Sequence, residues 1–411
     1  MAEFFNVLPP DEARAIWWAQ VTRRVDVEML PTHESLGRVT AQAIHSPEAL
    51  PAFKRSTVDG YAVRAADTFG ASDSLPAYLD VIGEVLMGQA AAVTVGKGQT
   101  ALIHTGGMVP DGADAVVMVE HTQSFSDQEI EIHKPLASGE NVLQTGEDVT
   151  QGAEILPVGH RIQPQDIGAL LALGLADEIA VMQRPRVSLF STGDELVTPD
   201  TQNLQPGQIR DINSGTIQAL CRRAGAETQL HPIVRDQPDA LYAALTEAFD
   251  DADMLVVTAG SSVSARDMTA DTFNRMGAPG VLVHGVAARP GKPTILAVVD
   301  GKPVIGLPGN PVSAMVMFTL FGVPAISYLM NTALPRQNRM QARATVNIPS
   351  VAGREDHVPV KLVQREGEIW AEPVFGKSNL IFTLVGAAGL LKVPLNTTGL
   401  REGAWAEVVL F

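Results

Sequence analysis

The sequence predicts a multidomain chain of the α/β plus β class, with one α/β domain between two regions rich in β-strands. Its 411 residues are too many for one ordinary hydrophobic core, so several domains are expected. Short apolar strands alternate with helical segments between residues 187 and 330. The flanking regions contain short β-rich runs separated by Gly, Pro and Asp turns.

The order of these segments predicts four domains along the chain. An amphipathic helix is expected from Asp11 to Arg24, and a second helix from Pro164 to Leu173. The predicted domains are a β-rich domain (45–148), an α/β domain (184–331) and a C-terminal β-barrel-like domain (332–411), and a fourth helical/β part lies on both sides of the β-rich domain (1–44 and 149–183).

Within the α/β domain, the alternation predicts parallel strands joined by right-handed crossovers. The predicted strands and helices are 187–190, 214–224 (helix), 228–234, 239–249 (helix), 254–258, 268–276 (helix), 294–299 and 304–307, with a helix after Asn310. In such a sheet, ligands bind beyond the carboxyl ends of the strands. The loops at those ends are therefore the first place to look for chemistry.

Composition excludes several classes of protein. A net charge of −16 argues against a nonspecific nucleic-acid binder, which needs a basic surface. Cys221 is the single cysteine, so no intrachain disulfide forms, and a cytoplasmic setting is expected. The longest apolar stretch, 312–330, contains Pro324 and follows a Gly-Asn-Pro turn. It is predicted to be a buried helix and not a membrane span.

Four loops at predicted strand ends carry residues suited to phosphate chemistry. They are 191–196 (STGDEL), 259–267 (AGSSVSARD), 289–293 (RPGKP) and 306–311 (GLPGNP). Glycine permits close backbone approach, hydroxyls and helix N-termini donate to phosphate oxygens, and carboxylates hold Mg²⁺ against those oxygens. Together they predict a Mg²⁺-phosphate pocket.

Each loop also has a plain structural interpretation. Asp194 and Asp236 are both suited to cap a helix, and Asp211 is expected to be a loop carboxylate on solvent. Neither Gly291-Lys292 nor Gly376-Lys377-Ser378 completes a Walker A phosphate loop. The pocket therefore depends on the fold bringing the four loops together.

Several motifs resemble those of the MoeA/gephyrin E-domain family of molybdenum cofactor biosynthesis, and they follow one another in that family's order over nearly the whole chain. The matching segments are 57–63 (TVDGYAV), 104–107 (HTGG), 146–148 (GED), 191–196 (STGDEL), 289–293 (RPGKP), 306–314 (GLPGNPVSA), 353–356 (GRED) and 375–378 (FGKS).

The resemblance implies a fold, a reaction and partners. The implied fold has a MogA-like α/β domain, a β-rich domain, a discontinuous helical/β linker domain formed by 1–44 and 149–183, and a C-terminal β-barrel. The implied activity is that of a molybdopterin molybdenumtransferase, in which molybdate and adenylated molybdopterin give molybdenum cofactor and AMP. The implied state is a homodimer with Mg²⁺ that works with a molybdopterin adenylyltransferase partner, without nucleic acid or membrane. Each active cleft is expected between the α/β and C-terminal domains of one subunit, closed by the β-rich domain of the other.

The resemblance also implies roles for individual residues. Catalytic roles fall on Asp59, Thr105, Glu195, Asp236 and Asp267, of which Glu195, Asp236 and Asp267 are also the expected metal-binding residues. Substrate-binding roles fall on Asp148, Ser191, Thr192, Gly193, Ser262, Arg289, Lys292, Pro308 and Pro311. Molybdate-binding roles fall on Arg354, Ser378 and Lys377.

The sequence departs from the family pattern at the third-strand loop. Ser264 stands where the family often has glycine, which predicts a less close approach to the ligand or a positive φ costing about 1 kcal/mol. Arg289 stands where some members have lysine, and arginine offers a planar fork instead of a point charge.

Two other functions stay open at this stage. One is a non-catalytic scaffold of the gephyrin E-domain type, against which the convergent carboxylates argue because they repel one another. The other is a molybdopterin adenylyltransferase, which would consume ATP in the absence of molybdate.

Overall fold

The computed structural model describes residues 7–126, 128–260, 263–334 and 338–411, apart from the side chains of residues 263–265. The chain forms two compact units. Unit 1 comprises Met1–Ala41, Val158–Gln163 and Glu178–Phe411, and unit 2 comprises Gln42–Pro157 and Pro164–Asp177.

The helices and strands are distributed along the whole described chain. The α-helices are α1 (Pro10–Trp18), α2 (Pro164–Ala172), α3 (Asn213–Ala224), α4 (Pro238–Phe249), α5 (Val263–Met276), α6 (Pro311–Met317), α7 (Val323–Leu329) and α8 (Phe382–Val385). The strands up to residue 182 are β1 (Val27–Leu30), β2 (Ile44–His45), β3 (Arg55–Ser56), β4 (Gly60–Val63), β5 (Ala77–Val85), β6 (Gln99–Ile103), β7 (Ala115–Met118), β8 (Thr122–Ser126), β9 (Glu129–Ile132), β10 (Val142–Leu143), β11 (Glu154–Leu156) and β12 (Ile179–Met182). The following strands are β13 (Arg186–Ser191), β14 (Leu196–Val197), β15 (Ile209–Arg210), β16 (Glu227–Leu230), β17 (Met254–Ala259), β18 (Pro279–His284), β19 (Ala288–Arg289), β20 (Ile295–Val299) and β21 (Lys302–Pro308). The last strands are β22 (Arg339–Ala344), β23 (Ile348–Pro349), β24 (Glu355–Arg365), β25 (Glu368–Pro373), β26 (Gly389–Val393), β27 (Gly399–Leu400) and β28 (Trp405–Leu410).

Unit 2 is built on a six-stranded sheet with the order β7-β4-β6-β5-β9-β8. Strand β4, which carries the DGYAV motif, lies between β7 and β6 and pairs antiparallel with both. Ala62, Ala101, Ile103 and Val116 are fully buried beside it. This confirms the predicted β-rich region and fixes the residues just before β4 at one end of the sheet.

Unit 1 contains a second six-stranded sheet, with the order β16-β13-β17-β21-β20-β18. The prediction of an all-parallel sheet is wrong, because β20 pairs antiparallel with both β21 and β18. The turn between Val299 and Lys302 is too short for a crossover, so β21 folds back on β20 as a hairpin. Strand β18 was not predicted, since Pro279 and Gly280 at its start resemble a turn.

Helix α1 packs against this sheet and is shorter than predicted. Trp17 is fully buried, and its indole Nε1 donates to the Ala297 carbonyl at 2.7 Å. The predicted helix from 11 to 24 ends at Trp18, because the amides of Thr22 and Arg23 turn to the Gly301 carbonyl at 3.1 and 3.0 Å. The helix therefore ends about one and a half turns before the residue that the amphipathic pattern predicts.

The apolar stretch after Asn310 forms α6, a π-helical turn over Phe318–Gly322, and α7. Among the described residues, Pro311–Leu329 is the one helical run long and apolar enough to span a membrane by length and composition, and 72% of that window is buried. Phe318, Phe321 and Leu329 belong to the same core as the α/β sheet. Such burial agrees with the predicted core helix.

The C-terminal region forms the predicted β-barrel. Its sheet has the order β19-β24-β25-β22-β28-β26, and β24 also pairs with β26, which closes a five-stranded barrel. Ala342, Val360, Ala371 and Leu391 are fully buried inside. Strand β19 of the RPGKP segment adds to the outside of the barrel by pairing parallel with β24.

Candidate active site

One edge of the α/β sheet carries the loops that the sequence identified. Strands β13, β17 and β21 run parallel and end at Ser191, Ala259 and Pro308. Because β20 runs antiparallel, its first residue Ile295 lies opposite Gly306, near the end of β21. The RPGKP segment, which precedes β20, therefore reaches the same edge by the hairpin that the sequence analysis missed.

The loops after β17 and β21 approach each other closely. A Cβ atom on Gly309 would lie 2.7 Å from the Ala259 carbonyl oxygen, which leaves no room for a side chain. The described backbone here also places Ser264 inside α5, where right-handed helical geometry prevails. Of the two alternatives predicted for Ser264, the positive φ is wrong, and the less close approach to the ligand stays a prediction. Ser262 of the same predicted loop lies outside the described residues.

Ser191 is held by a buried hydrogen-bond network. Its Oγ donates to Asp211 Oδ2 at 2.7 Å and lies 3.1 Å from Thr258 Oγ1. Asp211 Oδ1 also accepts the backbone amides of Asn213 and Ser214 at 3.1 and 3.2 Å, at the start of α3. The prediction of a solvent-facing Asp211 is wrong, because only 6% of the residue is exposed. Asp211 supports the first loop and caps α3.

Asn213 links two of the loops and was not identified from the sequence. Its Nδ2 donates to the Gly309 carbonyl at 2.8 Å, and its Oδ1 is buried without a hydrogen-bond partner among the described residues. The sequence signal was weak, because Asn in Asp-Ile-Asn-Ser before a helix is common in plain caps. A bound group or an ordered water would complete the hydrogen bonding of this oxygen.

Asp236 lies beside the first loop and carries a perturbed carboxyl. Thr192 forms a parallel bridge with Val234, two residues before Asp236. Burial raises the pKa of Asp236, the Thr192 hydroxyl lowers it, and the negative charges of Glu195 and Asp194 raise it further. Asp236 Oδ1 and Thr192 Oγ1 are both buried, and neither has a hydrogen-bond partner of good geometry in the described parts of the chain.

The local structure contradicts the helix-cap interpretation of Asp236 and Asp194. The N-cap of α4 is Gln237, and no side chain makes a cap hydrogen bond there. Asp194 is exposed, and the chain after it forms the short strand β14 and not a helix. A carboxylate that is partly buried, unpaired and close to two other acids is unfavourable for stability and typical of a functional site.

The three predicted metal-binding residues do not all share one electrostatic environment. Glu195 acts on the Asp236 carboxyl, whereas Asp267 is half-buried on α5 and is not among the charges that shift it. Within residues 7–126, 128–260, 263–334 and 338–411, no group of three or more His, Cys, Asp or Glu side chains is spaced to hold a metal ion. A pair of carboxylates still suits Mg²⁺, which takes one or two carboxylates and completes its shell with water and phosphate oxygens.

A cationic cluster lies where the barrel joins the RPGKP segment. Arg289 pairs in register with Asp356, and the amide of Glu355 donates to the Ala287 carbonyl at 2.9 Å. Asp356 accepts Nε and Nη2 of Arg354 at 2.7 and 3.1 Å, and Nη1 of Arg289 lies 3.9 Å from it. The Asp356 side chain is 4% exposed, while those of Arg354 and Arg289 are 29% and 64% exposed.

The ion pair of Arg354 is therefore made with a buried carboxylate. Arg354 keeps three of its five N–H donors, since two are used on Asp356. Two guanidinium groups around one carboxylate leave a net positive charge at a partly open position. Such a cluster suits an oxyanion.

Ser378, in the C-terminal region, contacts the residues at the start of α6. Asn310 Nδ2 donates to Ser378 Oγ at 3.1 Å, and the Val312 amide donates to the Ser378 carbonyl at 3.1 Å. The FGKS segment of the barrel thus contacts the GLPGNP loop, in which Pro308 ends β21 and Pro311 begins α6. Two further predicted residues, Lys292 and Lys377, are exposed.

Unit 2 brings two of its predicted residues into contact. The Thr105 amide donates to Asp59 Oδ1 at 2.8 Å, and Nδ1 of His104 lies 3.8 Å from the same oxygen. His104 Nε2 also lies 2.8 Å from Glu84 Oε1. Asp148 is exposed in the turn after β10, and its amide donates to the Leu50 carbonyl at 3.0 Å. The Asp59 carboxylate is 65% exposed and so remains open to a ligand.

Comparison with protein families accounts for most of the chain. Residues 8–174 match the "MoeA N-terminal region (domain I and II)", residues 188–328 match the "Probable molybdopterin binding domain", and residues 341–411 match the "MoeA C-terminal region (domain IV)". The second and third matches fall within unit 1, on the α/β sheet and the barrel, whereas the first match spans residues of both units.

Individual relatives agree with these matches. The chain is 33% identical to the "Molybdopterin molybdenumtransferase" of Bacillus subtilis (strain 168), over 100% of this chain and 95% of that protein. It is 34% identical to the "Molybdopterin molybdenumtransferase 2" of Mycobacterium tuberculosis (strain ATCC 25618 / H37Rv), over 95% and 96%. A solved molybdopterin biosynthesis MoeA protein from Pyrococcus horikoshii superposes with a TM-score of 0.86 at 29% identity, over 99% of this chain and 100% of that one.

Proposed function

The chain belongs to the MoeA family and is a molybdopterin molybdenumtransferase of molybdenum cofactor biosynthesis, and from this premise we propose how its site works. The proposed reaction joins molybdate and adenylated molybdopterin, and it releases AMP as the metal enters the dithiolene. The observation that carries the proposal is the separation of charge along one sheet edge. Asp236 and Glu195 lie near Thr192, whereas Arg289, Arg354 and Asp356 cluster at the RPGKP end.

The first and last loops of this edge would hold the phosphate part of the substrate. Thr192 presents a buried hydroxyl without a good partner, and Asn213 holds the Gly309 carbonyl in place. Lys292 is exposed at the same edge and would contribute a positive charge to the phosphates. Convergent donors of this kind orient a pyrophosphate and exclude alternative positions for it.

We assign Mg²⁺ to the carboxylates of Asp236 and Glu195. The buried Oδ1 of Asp236, which has no hydrogen-bond partner of good geometry among the described residues, is suited to be a ligand atom of the ion. The negative charge of Glu195 would add to the attraction for the cation. When bound, Mg²⁺ would neutralise phosphate charge as the pyrophosphate is cleaved. Asp267 would act through water or on the substrate, since it lies on α5 and not in the Asp236 environment.

Molybdate would bind at the cationic end of the edge. It is a tetrahedral dianion, and Arg354 offers a forked donor set that Asp356 holds in one orientation. Ser378 adds a short hydroxyl donor at the start of α6, with Lys377 as a further cation. Arginine stays charged at every accessible pH, so the site does not depend on a titrating cation.

Further features of the proposal come from the family resemblance. We propose a homodimer in which Asp59, Thr105 and Asp148 of one subunit complete the site of the other. The contact between the Asp59 carboxylate and the Thr105 amide supports a shared role for these two residues. We also propose a cytoplasmic enzyme that receives its substrate from a molybdopterin adenylyltransferase.

Turnover with adenylated molybdopterin, Mg²⁺ and molybdate tests the proposal. We expect AMP release that requires molybdate and falls strongly in Asp236→Asn. A chain that binds the pterin without turnover would instead be a scaffold. A chain that consumes ATP in the absence of molybdate would be an adenylyltransferase.

A further inference from the structure

A cavity of about 560 Å³ lies in unit 1 between the helical layer and the barrel. One wall is apolar and contains Leu220 of α3, Val316 of α6, Leu320 of the π-helical turn and Leu390 of β26. A volume of this size accommodates a small organic molecule. None of the described residues that we assign to the reaction lines it.

The barrel side of the cavity is a buried charged cluster. Glu355 Oε1 lies 2.9 Å from His357 Nε2, and Glu355 Oε2 lies 2.6 Å from Lys392 Nζ. The Glu355 and His357 side chains are 9% and 6% exposed. Burial alone would raise the pKa of Glu355, but the hydrogen bonds from His357 and Lys392 outweigh it and lower this pKa to about 2. The carboxylate is therefore ionised and fully engaged.

The remaining lining charges leave a positive excess. Among the described residues, the cavity is lined by four Lys or Arg side chains and three Asp or Glu side chains. Arg14 pairs with Asp11 at 3.2 Å and Arg339 pairs with Glu407 at 3.3 Å. Arg223 near the end of α3 makes no ion pair and no side-chain hydrogen bond anywhere in the described chain. Arg223 is an exposed residue that lines the cavity, and its guanidinium has no carboxylate partner among the described residues.

A second donor in the lining is also unsatisfied. The Arg14 Nε atom is buried and has no hydrogen-bond partner within the described residues. A buried donor without a partner is unfavourable, so an acceptor from a ligand would be favourable there. We propose that this cavity binds a small organic carboxylate with an apolar body, its carboxylate on Arg223 and its body against Leu220 and Leu320. A polyphosphate is disfavoured, because one unmatched cation does not balance several negative charges.

Strand β24 separates this cavity from the proposed molybdate site. Successive side chains on a strand point to opposite faces. Glu355 and His357 line the cavity, whereas Asp356 between them accepts the guanidinium of Arg354. The two sites therefore occupy opposite sides of one strand, and binding in the cavity does not depend on the role of Arg354.

Three probes with the same body and different head groups test the proposal. We would titrate the full chain with 4-phenylbutyrate, 4-phenylbutanol and 4-phenylbutylamine by calorimetry. The acid should bind at least about fivefold more tightly than the alcohol, the gain of one charge-assisted contact, and the amine should bind most weakly. Molybdate should not displace the acid.

Two arginine variants give the matched comparison. Arg223→Gln should bring the affinity for the acid down to that for the alcohol. Arg222→Gln, which changes an exposed neighbour on α3 that does not line the cavity, should leave both affinities unchanged. Leu320→Gln should weaken the acid and the alcohol alike.

Any one of the following results overturns the proposal. These are the absence of saturable binding by the acid, equal binding of acid and alcohol to the unmodified chain, and equal effects of Arg223→Gln and Arg222→Gln. Displacement of the acid by molybdate would place the acid at the oxyanion site and would also overturn it.

Discussion

Removal of Arg354 should affect both stability and molybdate binding, because this residue pairs with a buried carboxylate. The Asp356 side chain is 4% exposed, and in Arg354→Ala its remaining ion-pair partner among the described residues is Arg289, at 3.9 Å. Breaking a buried ion pair in this way costs about 3–5 kcal/mol of unfolding free energy. Loss of a charge-assisted contact of about 1.5–3 kcal/mol should raise the half-saturating molybdate concentration about tenfold or more.

A neutral double variant separates the two effects. In Arg354→Gln/Asp356→Asn, no buried charge is left unpaired, and Arg289, which loses Asp356, is 64% exposed to solvent. The free energy of unfolding should therefore return to within about 1–2 kcal/mol of the parent. The molybdate requirement should stay high, because the guanidinium fork is still missing. The assay is AMP release against molybdate concentration, with urea unfolding measured on the same preparations.

The interpretation of Arg354 as an oxyanion ligand fails if the double variant regains both stability and the parent molybdate requirement. In that case the pair would serve the fold alone. Weakened pterin binding with an unchanged molybdate requirement would instead assign Arg354 to the other substrate.

Three further predictions follow from the carboxylates. The folded-state pKa of Asp236 is raised, so the fold favours the protonated carboxyl. The free energy of unfolding therefore falls as the pH rises through that pKa and the carboxyl ionises. Asp236→Asn should therefore lose at least about tenfold in turnover while its melting temperature at pH 7 does not fall; a lower melting temperature with normal activity would contradict this. The folded pKa of Glu355 is lowered from 4.5 to about 2, so its contribution of about 3 kcal/mol is present above pH 4.5 and lost between about pH 4.5 and 2. Glu355→Gln should flatten the acid limb of the stability curve, and an unchanged limb would refute the assignment. Mixing subunits that carry Asp59→Asn with subunits that carry Asp267→Asn should restore one working site per heterodimer, whereas mixed dimers as inactive as either parent would exclude a shared site.

The sequence patterns predicted which loops lie at the sheet edge, but they did not predict the directions of all the strands that carry those loops. The STGDEL and GLPGNP segments were expected at one sheet edge because parallel strands end there. The RPGKP segment reaches that edge for a different reason, the antiparallel β20–β21 hairpin. Strand direction depends on turn length and pairing across the sheet, and single-segment periodicity does not report either.

Contacts between distant residues were the main omission. Asp211 was expected on solvent, yet it is buried under Ser191 and caps α3. Asn213 and its bond to the Gly309 carbonyl were also missed. Both depend on packing between loops far apart in the sequence. By contrast, the motif resemblance placed Asp59 and Thr105 in one role, and the structure brings their atoms to 2.8 Å.

A crystal structure with AMP and molybdate, with molybdenum located by its anomalous signal, tests the proposed division of the sheet edge most directly. We predict the molybdenum peak beside the Arg354 guanidinium and the Ser378 hydroxyl, with the AMP phosphate at the loops of Thr192 and Lys292. A molybdenum peak among the Asp236 and Glu195 carboxylates, or AMP bound away from this edge, would contradict it.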